Sequence, residues 1–165
     1  MNTAILQFSR EAIIYDVENS AYIVADTLPE DQEHAKRQII DIAQDGNIDR
    51  VNRVIDLAFA YCVEVLFPYT KIECNKQEYR DNELAGECIY ITQLSLPQEF
   101  SRTTIDFISK LIHEFIVYYV MADWLSLTYP AMSAVWAEKL SSVIKDIKAR
   151  LNARCGRVRR TQSPF

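Results

Sequence analysis

The pair His113–Glu114 is the part of this sequence that most resembles a catalytic or metal-binding motif. In the motif H-E-x-x-H, two histidines four residues apart on one helix face bind zinc, and the glutamate acts as a general base. The second histidine would stand at position 117, where the chain has Val117. A di-iron bundle would need the motif Glu-x-x-His on two helices, and neither of the segments that contain the two histidines of the chain, His34 and His113, supplies it. We therefore interpret His113 as a partly buried histidine at a helix–helix contact.

The other residues that could carry chemistry are scattered along the chain. The spacing of the cysteines contains no C-x-x-C, so a zinc site would need ligands from distant segments. No Gly-rich phosphate loop and no Ser or Cys nucleophile motif is present. Four carboxylates recur at helical intervals and are most simply a solvated face: Asp41, Asp45, Asp49 and Asp56. The sequence therefore predicts no catalytic, cofactor-binding or metal-binding residues, and a protein that is not an enzyme.

Aromatic residues cluster near the C-terminal half of the chain. Tyr118, Tyr119 and Trp124 fall on one helical segment, and Trp136 falls on the next. Such residues could bind a ligand, but more often they pack a helix–helix seam with their polar atoms at its rim. The segment is apolar almost all round from Phe115 onward, which predicts a central helix and some surface that meets another protein.

Apolar residues at helical spacing predict five helices. We place them at residues 9–28, 31–46, 48–67, 102–127 and 131–151. Ser9, Asn47 and Ser101 are the expected N-caps, and Gly46 is the expected C-terminal stop of the second helix. In the last helix, we expect the inward-facing residues to be Ala134, Val135, Leu140, Val143, Ile144, Ile147 and Leu151.

The middle of the chain, about residues 69–96, has a different pattern. Ile72 and Cys74 alternate with polar residues, and β-favouring residues return in "CIYITQLSL" after a polar loop. This predicts a β-hairpin inserted between helices. Cys74 would then face Cys88, either as a disulfide under oxidising conditions or as a pair of small apolar fillers. The predicted fold is mainly α, a helical bundle over residues 1–153 with one inserted β-hairpin.

Charge is divided unevenly between the body of the chain and its C-terminal end. Residues 1–149 contain 13 basic and 23 acidic residues, a net charge of −10, whereas residues 150–165 contain five arginines and no acid. Such segregation indicates a body and a tail with different partners. We find no signal peptide and no apolar stretch long enough to span a bilayer, and expect synthesis in the cytoplasm with reduced thiols and no membrane contact.

Residues 154–165, "RCGRVRRTQSPF", are predicted to leave the bundle as an extended basic arm. Three interpretations are open: a disordered solubilising end, a contact with nucleic acid, or an arm that docks on a neighbouring subunit. Gly156 permits the chain to turn out of the last helix, and residues 157–165 lack apolar helical periodicity. We expect the partner-binding residues to be Arg154, Arg157, Arg159, Arg160 and Phe165.

The run "YYVMADWLSLTYPAMSAVWAEKLSSVIKDIKARLNARCGRVRR", preceded by "LSLPQEFS", resembles small helical proteins from the structural gene clusters of tailed bacteriophages. In layout it is similar to head–tail connector (adaptor or ring) proteins, including those of the crAss-like phages. The resemblance covers the C-terminal half by pattern and the rest by architecture.

That resemblance implies a homo-oligomeric ring beneath the portal, in the neck or tail region of the virion. Its arm would reach the portal protein and other tail or ring proteins, and it carries no catalytic residues or cofactor. Arginines of the arm would meet portal carboxylates, and Phe165 would fill a pocket. The alternative is a small DNA-binding or regulatory protein that uses the arginine-rich tail, with DNA contact otherwise secondary.

Overall fold

The computed structural model describes residues 2–66, 88–96 and 100–152 of the chain. These described residues form five α-helices and two β-strands. In chain order these are β1 Asn2–Ser9, α1 Arg10–Asp26, α2 Glu33–Ile40, α3 Ile48–Leu66, β2 Ile89–Leu96, α4 Arg102–Thr128 and α5 Pro130–Leu151. The predicted class, a mainly α bundle with one two-stranded antiparallel element, is confirmed.

The second strand of the predicted hairpin is β2, and its partner in the described sheet is β1. The two strands are antiparallel, with Leu6 opposite Thr92 and Phe8 opposite Tyr90. The sequence pattern predicts no strand where β1 lies. The first strand of the predicted hairpin and Cys74 lie outside the described residues, and Cys88 is an exposed free thiol.

The sheet has one buried and one exposed face because successive side chains of a strand point to opposite sides. The buried residues of the sheet are Leu6, Phe8, Tyr90, Thr92, Leu94 and Leu96. Phe8 and Tyr90 both contact the ring of Phe59 on α3, with centroids at 6.2 Å and 4.9 Å. The inner face is thereby attached to the helical bundle.

The helix boundaries differ from the prediction at the end of α2. The expected stop is Gly46, but the helix ends at Ile40 and is followed by a 3₁₀ turn at Asp41–Ala43. The side-chain amide of Asn47 donates to the carbonyl oxygen of Asp41 at 2.8 Å. This bond stabilises the turn in place of the last helical turn. Ser9 and Ser101 do occupy the N-cap positions of α1 and α4, although neither side chain makes a capping hydrogen bond.

Helix α4 is the central element, as predicted, and packs against α1, α2, α3 and α5. Among its fully buried residues are Ile108, Ile112, Phe115 and Ile116. On α5 the prediction was wrong for Ala134 and Val135, which are both exposed, Val135 to 46%. The buried positions of α5 are Trp136, Val143, Ile147 and Leu151, since their spacing of seven, four and four residues defines the face that meets the bundle.

Candidate functional site

The predicted partner-binding residues Arg154, Arg157, Arg159, Arg160 and Phe165 lie outside the described residues. The helix that leads to them ends at Leu151. Three cations on its last turns are Lys145, Lys148 and Arg150. The guanidinium of Arg150 lies 5.1 Å from the ring centroid of Phe107, so the C-terminal end of α5 is beside the beginning of α4.

His113 joins two helices, which confirms its interpretation as a partly buried residue at a helix–helix contact. Its Nε2 atom lies 2.6 Å from Oδ2 of Asp16 on α1, and its side chain is 24% exposed. Among residues 2–66, 88–96 and 100–152, no group of three or more His, Cys, Asp or Glu side chains could hold a metal ion. The contact therefore holds α1 against α4.

A second polar cluster brings together three elements that are distant in sequence. Arg10 at the start of α1 places Nη2 2.6 Å from Oδ1 of Asp56 on α3. Its Nε donates to the hydroxyl of Tyr90 on β2 at 3.0 Å, and that hydroxyl donates to Asp56. We call these three residues the Arg10 cluster. Sequence spacing could not reveal it because its members are 34 to 80 residues apart and share no local pattern.

Two titratable groups of the bundle are held in their protonated forms. Burial, together with the hydrogen bond to Asp56, raises the pKa of Tyr90 to about 12. Burial also raises the pKa of the Cys62 thiol far above its ordinary value. Because the thiolate is the reactive form of cysteine, Cys62 is an apolar filler rather than a nucleophile. Both groups are therefore uncharged at neutral pH.

The cleft around Cys62 is lined wholly by apolar side chains of α3, α4 and α5. Its walls are Cys62, Val65, Leu66, Ile112, Phe115, Ile144 and Ile147, and it holds no space for a water molecule. A binding site for a small molecule normally combines a larger cavity with a few convergent polar groups. This cleft is the packing seam of three helices.

The outer face of the sheet exposes three isoleucines. Ile5 is 62% exposed, Ile89 is 52% exposed and Ile91 is 57% exposed. The strand register places Ile5 opposite Gln93 and Ile91 opposite Gln7, so the three side chains share one face. We call this the outer sheet face. Clustered apolar side chains on a protein surface mark contacts with other macromolecules more often than isolated ones do.

The solvent side of α1 has an alternating pattern of acids and tyrosines. The residues are Glu11, Tyr15, Glu18, Tyr22 and Asp26, at intervals of four, three, four and four, and all are exposed. Tyr15 and Tyr22 are 64% and 63% exposed. We call this row the Glu/Tyr stripe. Within the described part of the chain, none of its three carboxylates forms an ion pair. Apolar spacing identifies Ile13, Val17, Ala21 and Val24 as the buried face of α1, so the Glu/Tyr stripe could have been identified from the sequence as the opposite face.

No protein-family model, curated protein or solved structure matches the chain. No helix in the described ranges is long and apolar enough to cross a membrane. Indications of function therefore lie in the surfaces of the bundle and in the distribution of charge.

Proposed function

We propose that the protein is a non-enzymatic virion structural protein, a head–tail connector or adaptor subunit. It assembles into a ring that joins the portal to the tail, and its C-terminal arm docks on a neighbouring chain. The observation that carries this proposal is the presence of two unlike exposed surfaces, the outer sheet face and the Glu/Tyr stripe, on different elements of one small domain.

Ring assembly requires such unlike surfaces. In a closed ring each subunit meets its two neighbours through different patches, and the contacts close by rotation. A two-fold dimer would instead need one self-complementary patch. The outer sheet face carries its three isoleucines among threonine, serine and glutamine side chains, and the stripe is acidic and aromatic, so the two surfaces differ in charge and polarity.

The distribution of charge supports a role for the arm in assembly. Residues 1–149 carry a net charge of −10 and residues 150–165 carry +5. A basic arm that orders on binding loses conformational entropy but covers a large area. Arg154, Arg157, Arg159, Arg160 and Phe165 are the contact residues in this proposal.

One observation favours the second candidate, a small DNA-binding or regulatory protein. Lys145, Lys148 and Arg150 stand on the last turns of α5, directly before the arginines of the tail in the sequence. A gel-shift assay with duplex DNA tests this function. Tight binding that weakens steeply with salt would support it, because released counterions give phosphate contacts a strong salt dependence.

The connector proposal is tested by imaging the purified full-length chain alone and mixed with portal rings from the same genome. We expect the chain to form rings and to bind portal at physiological salt. Changing Ile5 and Ile91 to Lys should abolish ring formation. The control is Leu57→Lys, which alters a side chain with the same 57% exposure as Ile91 but on helix α3 rather than on a strand.

Circular dichroism checks that these variants keep their helical content. A monomer that binds no portal would overturn the proposal, as would equal assembly by the sheet variant and by the unmodified chain. Loss of assembly in both the sheet variant and the Leu57 control would show that the outer sheet face has no specific role.

A further inference from the structure

We infer that the Glu/Tyr stripe of α1 is the acceptor for the arginine segment of a second copy of this chain. The inference rests on the proposed function, since it names the neighbouring chain on which the arm docks. The occupant is residues 153–165, which contain four arginines and no acid. The acceptor has three carboxylates and two exposed tyrosines on one helix face.

The carboxylates of the stripe have regular spacing along the helix axis. With a rise of about 1.5 Å per residue, Glu11 and Glu18 are about 10.5 Å apart, and Glu18 and Asp26 are about 12 Å apart. Tyr15 and Tyr22 lie between them. A ligand that satisfies the stripe should therefore present a cation at intervals of about 10–12 Å.

The arginines of the tail can supply that interval. Arg154, Arg157 and Arg160 are each three residues apart in the sequence. A chain bound in the polyproline II conformation has three residues per turn and a rise of about 3.1 Å, so it would present these arginines on one side at intervals of about 9.3 Å. The length of the arginine side chain accommodates the remaining difference.

The chemistry of the contact already occurs inside this molecule. In the Arg10 cluster, one guanidinium lies 2.6 Å from the carboxylate of Asp56 and 5.2 Å from the ring centroid of Tyr90. Arginine pairs with carboxylates through its planar fork and also stacks on aromatic rings. A row that alternates carboxylate and tyrosine provides both kinds of partner to each arginine.

The reach of the arm favours a second copy over the chain's own α1. Helix α5 ends at Leu151, with Arg150 beside Phe107 of α4, and α1 packs on α4 as well. An arm folding back would cross two interhelical distances, about 16–20 Å, before it turned onto the outer side of α1. The arginines that would pair with the stripe end at Arg160, eight residues past Asn152, and eight residues span at most about 29 Å. The stripe itself is about 22 Å long, so the chain's own arginines cannot both cross to α1 and cover the stripe, whereas α5 of a neighbouring copy can end directly beside it.

The test measures binding of a fluorescent peptide, residues 153–165, to the full-length chain carrying R154E, R157E and R160E. This receptor cannot present its own arm. We expect saturable binding, and at least tenfold weaker binding after adding E11K, E18K and D26K. The matched control adds D31K, D45K and E138K, which change the net charge equally at exposed acids outside the stripe and should leave the affinity unchanged.

Aromatic stacking is tested in the same receptor by Y15L and Y22L, which keep every charge. We expect several-fold weaker binding. Equal weakening in the stripe variant and the matched control, or no weakening in the stripe variant, would overturn the inference. A full-length unmodified chain that stays monomeric by mass photometry while its arm peptide binds the stripe would overturn the second copy as occupant.

Ring formation and portal binding separate this inference from the proposed function. If a chain with E11K, E18K and D26K still forms rings on the portal, the stripe is not the acceptor and the connector proposal stands. If the peptide binds the stripe but the unmodified chain forms oligomers without any affinity for portal, the acceptor is supported and the connector proposal fails.

Discussion

The two sides of α4 are held by different kinds of contact. Toward α1 and α3, directional polar contacts cross the interface: a hydrogen bond between His113 and Asp16, and an ion pair between Arg50 and Asp123 at 3.0 Å. Toward α5, in the described residues, the polar contacts are hydroxyl and cation–π interactions. There the rings of Tyr118 and Trp136 meet in a T-shaped arrangement with centroids 5.5 Å apart, and the ammonium of Lys139 lies over both rings.

This difference follows from the way each neighbour reaches α4. Helix α5 follows α4 after the single residue Tyr129, so the short connection sets an antiparallel register. The contacts with α1 and α3 join residues 97 and 73 positions apart. Apolar packing alone would let helices that are distant in sequence slide along each other, whereas directional polar pairs distinguish one register from another.

Phe115 is the residue whose loss should damage both sides of α4 at once. Its ring stacks on Tyr61 of α3 with a centroid distance of 5.7 Å, and it lines the seam with Ile144 and Ile147 of α5. We expect Phe115→Ala to lower the free energy of unfolding by about 3–5 kcal/mol. Phe107→Ala is the control, because Phe107 lies on the same helix but is 42% exposed. Urea denaturation of both variants measures the difference, and equal losses would contradict the central position of Phe115.

Sequence periodicity predicted the helices and most of their buried faces because local spacing determines which side of a helix is apolar. On α3, for example, the apolar residues Val51, Ile55, Ala58 and Cys62 recur at helical spacing and are buried. The pattern failed at Val135, since α5 begins against the end of α4 and its inward face is set by that junction. It also failed at β1, whose pairing with β2 is contact between segments about 80 or more residues apart.

The candidate surfaces were less predictable than the fold. His113 was recognised as a contact residue from the missing second histidine, but its partner Asp16 has no local signature. The Arg10 cluster depends on three distant elements and could not be derived from spacing. The Glu/Tyr stripe is periodic, yet a periodic exposed face is visible only after the buried face of α1 has been identified.

The sheet is also joined to its neighbours by directional bonds, since the hydroxyl of Tyr90 on β2 is hydrogen-bonded to residues of α1 and α3. Its pKa is raised to about 12 in the folded chain, so the protonated phenol is favoured by folding. The stabilisation is complete below the ordinary tyrosine pKa of about 10 and is lost as the pH rises through about 12. We expect the stability advantage of the unmodified chain over Tyr90→Phe to fall by about 2–3 kcal/mol across this window.

Urea denaturation of both proteins at several pH values from about 8 to about 12 measures this loss. The other tyrosines and the lysines titrate in both proteins, so their effects cancel in the difference. Parallel pH profiles would contradict the proposed role of the Tyr90 hydroxyl.

Trp124 attaches α2 to α4 through one directional bond in an otherwise apolar contact. Its indole N–H donates to the carbonyl oxygen of Ile39 at 3.1 Å, near the end of α2. Carbonyls in the last turn of a helix have no donor within that helix. Trp124→Phe should therefore cost about 1–2 kcal/mol and increase amide exchange in α2 before other helices. Hydrogen exchange measured by NMR tests this order, and uniform loss of protection would contradict it.

The smallest expected effect is that of the Arg50–Asp123 pair, which joins α3 to α4. Both side chains are partly exposed, at 42% and 34%, so water screens their attraction. A double-mutant cycle with Arg50→Met and Asp123→Asn should give a coupling of about 0.5 kcal/mol.

If this ion pair mainly selects the register of α3 on α4, the coupling should be small. The variants should nevertheless show more conformational exchange between α3 and α4 in NMR relaxation dispersion. A matched cycle with Lys139→Met and Trp136→Phe on the α5 side should change stability by a similar amount without inducing exchange, because the turn at Tyr129 still fixes that register. Equal exchange on both sides would mean that the directional pairs do not determine how α3 sits on α4.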